Sequence, residues 1–288
     1  TPLYSSAASD VYKRQEVNSP SGENDLVFAC LVVPGQNEVE SLIWARSIRK
    51  FGGKFSSYPI WIFVPNKVEN LSSERREKLT ELGVQLFSFV IDENILRFPL
   101  AGKPYAAAEA EKSAAGKFKF MVWTDPDNML LNEPREFILS KGINLGYRPV
   151  HHINVGSIYD QPLDEFWKLI YEDCGVPRDR VFAMKPNVED IDIRPYINAG
   201  HLVVNPSRGL LKKWCENFSQ FHAKPEYLKL YRKNQLYAVF VHQAILSATI
   251  LTEMNKKEIC ELPEKYNYPL NLYFDTVSYT HLRAHETK

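Results

Sequence analysis

The chain has 288 residues, 44% of them hydrophobic and 12% aromatic, which is enough apolar side chain for one substantial core and gives no sign of intrinsic disorder. Lys plus Arg and Asp plus Glu number 35 each, so no global field argues for nucleic acid or an anionic membrane surface, and any phosphate binding has to be local. Cys30, Cys174, Cys215 and Cys260 are scattered with no Cys-x-x-Cys pair, which removes the common zinc and redox signatures and leads us to expect free thiols in a reducing, cytoplasmic compartment.

Both ends read as foreign to the fold. Residues 1–15, TPLYSSAASDVYKRQ, and 277–288, VSYTHLRAHETK, resemble translated sequencing-adapter strings and are set aside, together with His281 and His285. The expected natural segment, roughly 16–276, is a single domain. No run of about 18 apolar residues interrupts it, so no membrane span is expected in the sequenced part.

Leu26 to Val33 predicts a first strand, broken by Pro34 and Gly35. Asn37 stands as a cap before a helix over 38–51, amphipathic through Leu42, Ile43, Ala45 and Ile48 and stopped by Gly52 and Gly53. Ile60 to Val64 is a second strand. Ser72 or Ser73 caps a helix over 74–82, and Val84 to Val90 is a third strand. This alternation predicts right-handed crossovers and a doubly wound, mainly parallel sheet.

Tyr105 to Ala115, rich in Ala, Glu and Lys, is a helix with Lys103 and Pro104 at its start. A lysine beside a helix N-terminus adds a mobile charge to backbone donors already suited to phosphate. Next come a strand at 144–148, a helix at 163–171, and a polar, irregular stretch at 177–194 long enough to form a lid. Tyr196 to Asn205, YINAGHLVVN, is a strand. Ser207 to Phe221 is a helix with Ser207 as cap and Trp214 and Phe218 on one face. The stretch 237–251, YAVFVHQAILSATIL, is apolar all round and predicts a buried helix. On its wheel Gln243 shares a sector with Leu236, Phe240 and Ile250, so its amide should point inward to a backbone partner or a ligand.

The chemistry concentrates in FKFMVWTDPDNMLL, residues 118–131. Phe120 to Trp123 is a continuous apolar run, as in a strand covered on both faces, and it ends in Asp125 and Asp127. Ligands of open α/β sheets bind beyond the carboxyl ends of strands. Two residues apart on extended chain, both carboxylates can face one ion. Two hard oxygen ligands with open positions suit Mg2+ or Mn2+ bridging to a diphosphate. Asp-Pro-Asp-Asn is also turn chemistry. A second pair, Asp190 and Asp192, follows no apolar run and reads as loop.

The ordered set of these features resembles the GT-A type nucleotide-sugar glycosyltransferases, the nucleotide-diphospho-sugar transferase superfamily, in its glycogenin-like and galactosyltransferase-like members. It comprises a strand and loop, a lysine-led helix, an apolar strand ending in Asp-x-Asp, an Asn-Ala-Gly strand, a helix with an inward Gln, and a Leu-Pro-x-x-Tyr-Asn loop at 262–267. It runs over about residues 26–270.

The resemblance implies a Rossmann-like α/β fold with a mixed, mainly parallel sheet flanked by helices, and metal-dependent transfer of a sugar from a nucleotide-diphosphate sugar to a glycan, protein or small-molecule acceptor. It implies Asp127 as direct ligand of Mn2+ or Mg2+. Asp125 would sit on the ribose and share the metal, and Lys103 on the diphosphate. Pro34 to Asn37 would border the base and ribose, and Asn198, Ala199 and Gly200 would line the sugar. Gln243 would lie beside the transferred sugar, where the usual Asp-Gln is here His242-Gln243. The late metal-ligand histidine of many relatives has no counterpart before residue 276. Glu189, Asp190 and Asp192 are base candidates by position, and Asp192, together with Gln243, is taken as catalytic. Arg148, His151 and His152 could meet an anionic donor or acceptor. Two rivals remain: a nucleotidyltransferase, disfavoured because VVPGQNEVE holds one glycine and no Arg-Lys pair, and a catalytically inactive sugar-nucleotide-binding or scaffolding protein of the same shape.

Overall fold

The computed structural model describes residues 25–272; both adapter-like tails and the histidines at 281 and 285 lie outside them. The strands are β1 Leu26–Leu31, β2 Ile60–Pro65, β3 Val84–Phe89, β4 Phe120–Thr124, β5 Leu145–Pro149, β6 Ile197–Val204 and β7 Ile259–Glu261. The helices are α1 Glu38–Phe51, α2 Ser73–Glu81, α3 Glu93–Leu96, α4 Gly102–Ala114, α5 Glu165–Cys174, α6 Leu210–Phe221, α7 Pro225–Lys233 and α8 Gln235–Glu253. The strands form one seven-stranded sheet in the order β3-β2-β1-β4-β6-β5-β7. β3, β2, β1 and β4 are parallel, β6 runs antiparallel to both β4 and β5, and β7 is parallel to β5.

Why the central strands read as unbroken apolar runs is now plain: each face is buried under helices. Val27, Ala29 and Leu31 of β1, Trp61 and Phe63 of β2, and Met121 and Trp123 of β4 join a core with α4, α5, α6 and α8. The alternate residues Phe28, Cys30, Ile62 and Val122 join a second core with α1, Phe137 and Tyr266. Because β6 alone is reversed, the carboxyl ends of all other strands and the entry of β6 share one edge. The loops bearing the candidate residues gather there.

Several expectations are corrected. Ser207 does not cap α6: Pro206–Arg208 is a separate 3-10 turn, Asn205 accepts the Ser207 N–H (3.1 Å), and Gly209 (φ +66°) turns the chain into α6. Leu236 faces water (47% exposed), since the first turn of α8 projects beyond the core, whereas Ile250 is buried. The stretch 177–194 is not a detached lid. It is laid against the loop after β5, with Asn187 N–H donating to Val150 O (3.1 Å), Val188 N–H to His151 O (3.0 Å) and Arg194 N–H to Ser157 O (2.8 Å). By length and composition α8 could cross a membrane. Residues 241–251 are instead buried in the protein, and the helix packs against α5, α6, α7 and β6.

Candidate active site

β4 delivers Asp125 and Asp127 to the carboxyl edge. The Asp125 N–H donates to Gly200 O (2.8 Å), extending the β4–β6 ladder one step past Thr124↔His201. The crossover from β3 brings the N-terminus of α4 to the same edge, and with it Lys103, whose Nζ lies 2.5 Å from Asp125 Oδ2. Both side chains are recessed, at 16% and 26% exposure, so this pair is only partly screened by water.

Gly200 is small for a reason visible here. A Cβ on it would stand 2.3 Å from Asp125 Oδ2 and 2.9 Å from its Cγ. The carboxylate therefore occupies the space a side chain would fill. Asn198 folds back on the same turn, its Oδ1 accepting the Gly200 N–H (2.8 Å). Asn128, read from sequence only as turn chemistry, spans the pair: its Nδ2 lies 3.2 Å from Asp125 O and 3.4 Å from Asp127 Oδ1.

Asp127 is exposed to water yet recessed among protein atoms. Desolvation, then repulsion from Asp125, raises its carboxyl above the usual range, against the attraction of Lys103. A bound cation would relieve that repulsion.

Gln243 turns inward as its wheel position implied, and its Oε1 accepts the Ala199 N–H (3.0 Å). One turn on, Ser247 Oγ accepts the Ile197 N–H (2.9 Å), so α8 holds the entry of β6 at two points. His242 is buried, its Nδ1 set against Val239 O (2.9 Å). Burial, then the nearby Lys103 charge, pushes its pKa down to about 3, so it stands neutral at physiological pH and supplies no substitute for an aspartate's charge. Pro34 and Asn37 lie on the loop leaving β1, next to β4. Asn37 accepts the Val33 N–H (2.8 Å) through Oδ1, bracing that loop instead of capping α1 with its side chain.

Lys103, Asp125, Asp127, Asn198, Ala199, Gly200 and Gln243 are thus brought together. Asp192 is not among them. It is exposed on the docked stretch, where its carbonyl accepts the Tyr159 N–H (2.9 Å). Asp190 pairs with Lys185. Arg148 is unavailable to an anion: it is buried, with Nη1 donating to Glu261 Oε1 (2.8 Å) and Leu262 O (2.7 Å) and Nη2 to Asn187 Oδ1 (2.9 Å). Its position on a strand covered on both faces decides this.

Among solved structures, the chain is similar to the galactosyltransferase LgtC in complex with donor and acceptor sugar analogues, at 17% identity and a TM-score of 0.47 over 89% of this chain and 80% of that one. Mouse xyloside xylosyltransferase 1 in its apo form gives 12% identity and 0.44 over 88% and 92%. Core-mannan synthase A from Aspergillus fumigatus in its Mn/GDP form gives 7% and 0.45 over 83% and 72%. A comparison with curated proteins finds no match. The family model of the Rhodobacterales glycosyltransferase domain matches residues 28–251, across the sheet edge and both aspartates, and the chain belongs to that family of glycosyltransferases.

Proposed function

We propose that the chain is a metal-dependent transferase that moves a sugar from a nucleotide-diphosphate sugar to an acceptor hydroxyl. One observation carries the reading: in a glycosyltransferase chain, two carboxylates two residues apart leave a buried strand at the ligand-binding edge, one of them gripped by the lysine that opens α4.

The donor set fits a hard divalent ion. Asp125 and Asp127 offer carboxylate oxygens and leave positions for diphosphate and water, as Mg2+ and Mn2+ sites at phosphates do. When bound, such an ion supplies a positive charge for the departing diphosphate. The chain's own groups do the rest. Lys103 places a second charge at the same edge, where a leaving diphosphate gains negative charge as the glycosidic bond breaks. Asn198, Ala199 and Gly200 supply the strand entry beside the pair, where the missing Cβ of Gly200 leaves room for the Asp125 carboxylate and Gln243 fixes the backbone at Ala199. The braced Pro34 to Asn37 loop is suited to border base and ribose.

Thermal shift tests this. With Mn2+ and a nucleoside diphosphate at a hundred times Kd, linkage stabilises the native state by about 2.7 kcal/mol. Asp127→Ala should abolish that shift while the apo protein still unfolds cooperatively. An equal shift in the mutant would remove the central assignment.

A further inference from the structure

A second polar cluster stands at the same edge, over β5. His152 Nδ1 lies 3.1 Å from Glu189 Oε1, and the other oxygen of that carboxylate accepts the Ile153 N–H (3.2 Å). Glu189, a free base candidate by sequence, is instead the group that orients an imidazole. The ring's Nε2 has no hydrogen-bond partner among the described residues, and the two side chains are 41% and 35% exposed.

The pair is held from behind. Buried Arg148 donates to Asn187 Oδ1 (2.9 Å), Asn187 Nδ2 meets His151 Nδ1 (2.9 Å), and the Val188 N–H donates to His151 O (3.0 Å). A buried guanidinium, paired with Glu261, thereby anchors both loops that carry the pair. Such reinforcement is wasted on a surface ion pair but suits a preorganised ligand contact.

Register gives the position. Trp123 of β4, Leu202 of β6 and Tyr147 of β5 stand in one row across the sheet. Beyond it Thr124 pairs with His201, while the β5–β6 register shifts and Pro149 pairs with Ile197, so Asn198 to Gly200 lie in the stretch of β6 between the two strand ends. At a strand spacing of about 4.8 Å, the β5 end lies about 10 Å from the β4 end, with Asn198 to Gly200 of β6 between them. Asp125 and Asp127 leave from one side of that interval and His152 from the other. A transferred sugar over β6 would have the diphosphate on its β4 side and the attacking hydroxyl on its β5 side.

Resting on the transferase reading above, we propose that His152, oriented by Glu189, is the acceptor subsite, and that it binds a hydroxyl-rich, uncharged saccharide. The chemistry selects that class. Arg148 is already neutralised by Glu261 and Glu189 brings a carboxylate, so nothing there rewards a phosphate, whereas an imidazole and a carboxylate, both partly exposed, offer the donor and acceptors that sugar hydroxyls use.

The test compares wild type with His152→Gln and Glu189→Gln. Donor hydrolysis is measured with a panel of sugar nucleotides and Mn2+, transfer with a set of free mono- and disaccharides, and saccharide contact by saturation-transfer NMR. Both variants should raise the acceptor KM at least tenfold and lose the NMR contact, with hydrolysis and Mn2+-nucleotide affinity unchanged. The subsite is overturned if acceptor KM and NMR contact are unaltered, or if hydrolysis and nucleotide affinity fall in parallel with transfer, which marks a structural role. If the wild type binds no nucleotide with Mn2+, the transferase reading fails by itself, and the NMR arm still decides whether His152 contacts saccharide.

Discussion

Replacing Gly200 with alanine tests the arrangement of the candidate site through one added carbon. The new Cβ would meet Asp125 Oδ2 at 2.3 Å and Asn198 Oδ1 at 3.1 Å. Unstrained contact between such atoms needs about 3.5 Å, so the carboxylate has to retreat by about 1 Å. That stretches its 2.5 Å contact with Lys103 past hydrogen-bonding range. A hydrogen bond between charged groups is worth about 1.5–3 kcal/mol, so if the donor uses Asp125 where it now stands, its affinity should fall by about 10- to 100-fold. Folding should be little affected, because Gly200 keeps both backbone bonds, to Asp125 and to Asn198. Calorimetry with Mn2+ and a series of nucleoside diphosphates gives the affinity. The same substitution in an Asp125→Ala background should then add little, since the two nearest atoms it displaces are gone and only the 3.1 Å contact with Asn198 remains. Wild-type affinity in Gly200→Ala, or an additive loss in the double variant, would refute the reasoning.

Two further predictions concern stability. Glu111 is buried on α4 with one oxygen accepting the Lys212 N–H at the start of α6 (2.8 Å), and burial pushes its pKa up to about 7 despite those backbone donors. The folded state therefore holds a proton that the unfolded chain releases, so stability should decline as pH rises from about 4.5 to about 7, by on the order of 3 kcal/mol; in Glu111→Gln, urea titrations across that range should show the decline removed. Gln243→Leu strands the buried Ala199 N–H and should cost about 1–3 kcal/mol, whereas Gln243→Glu keeps an acceptor for it. Denaturation midpoints that rank the two variants the other way would show that the amide oxygen does not hold β6.

Long, strongly patterned segments were legible because their signal is local. α1 needs only its apolar face and Gly52, and its observed span, Glu38–Phe51, is the one its periodicity implies. β4 needs only an unbroken apolar run ending in aspartate, and that run placed both carboxylates at the sheet edge. α7 was legible too, through Pro225 at its first turn and Tyr227, Leu230 and Tyr231 on one face, but received no assignment. β7 was not. Three residues carry no period, and Ile259–Glu261 is a strand only because β5 offers it a ladder.

Sequence by itself determined the doubly wound plan, the two carboxylates and the inward amide of Gln243, since each follows from spacing along one segment. Tertiary structure alone decided that Lys103 grips Asp125, that Arg148 is sealed in the sheet, and that Glu189 serves His152 from another loop. Those partners are 22, 113 and 37 positions apart in the chain, and no periodicity along a strand or helix reports which side chains meet when distant loops share one edge.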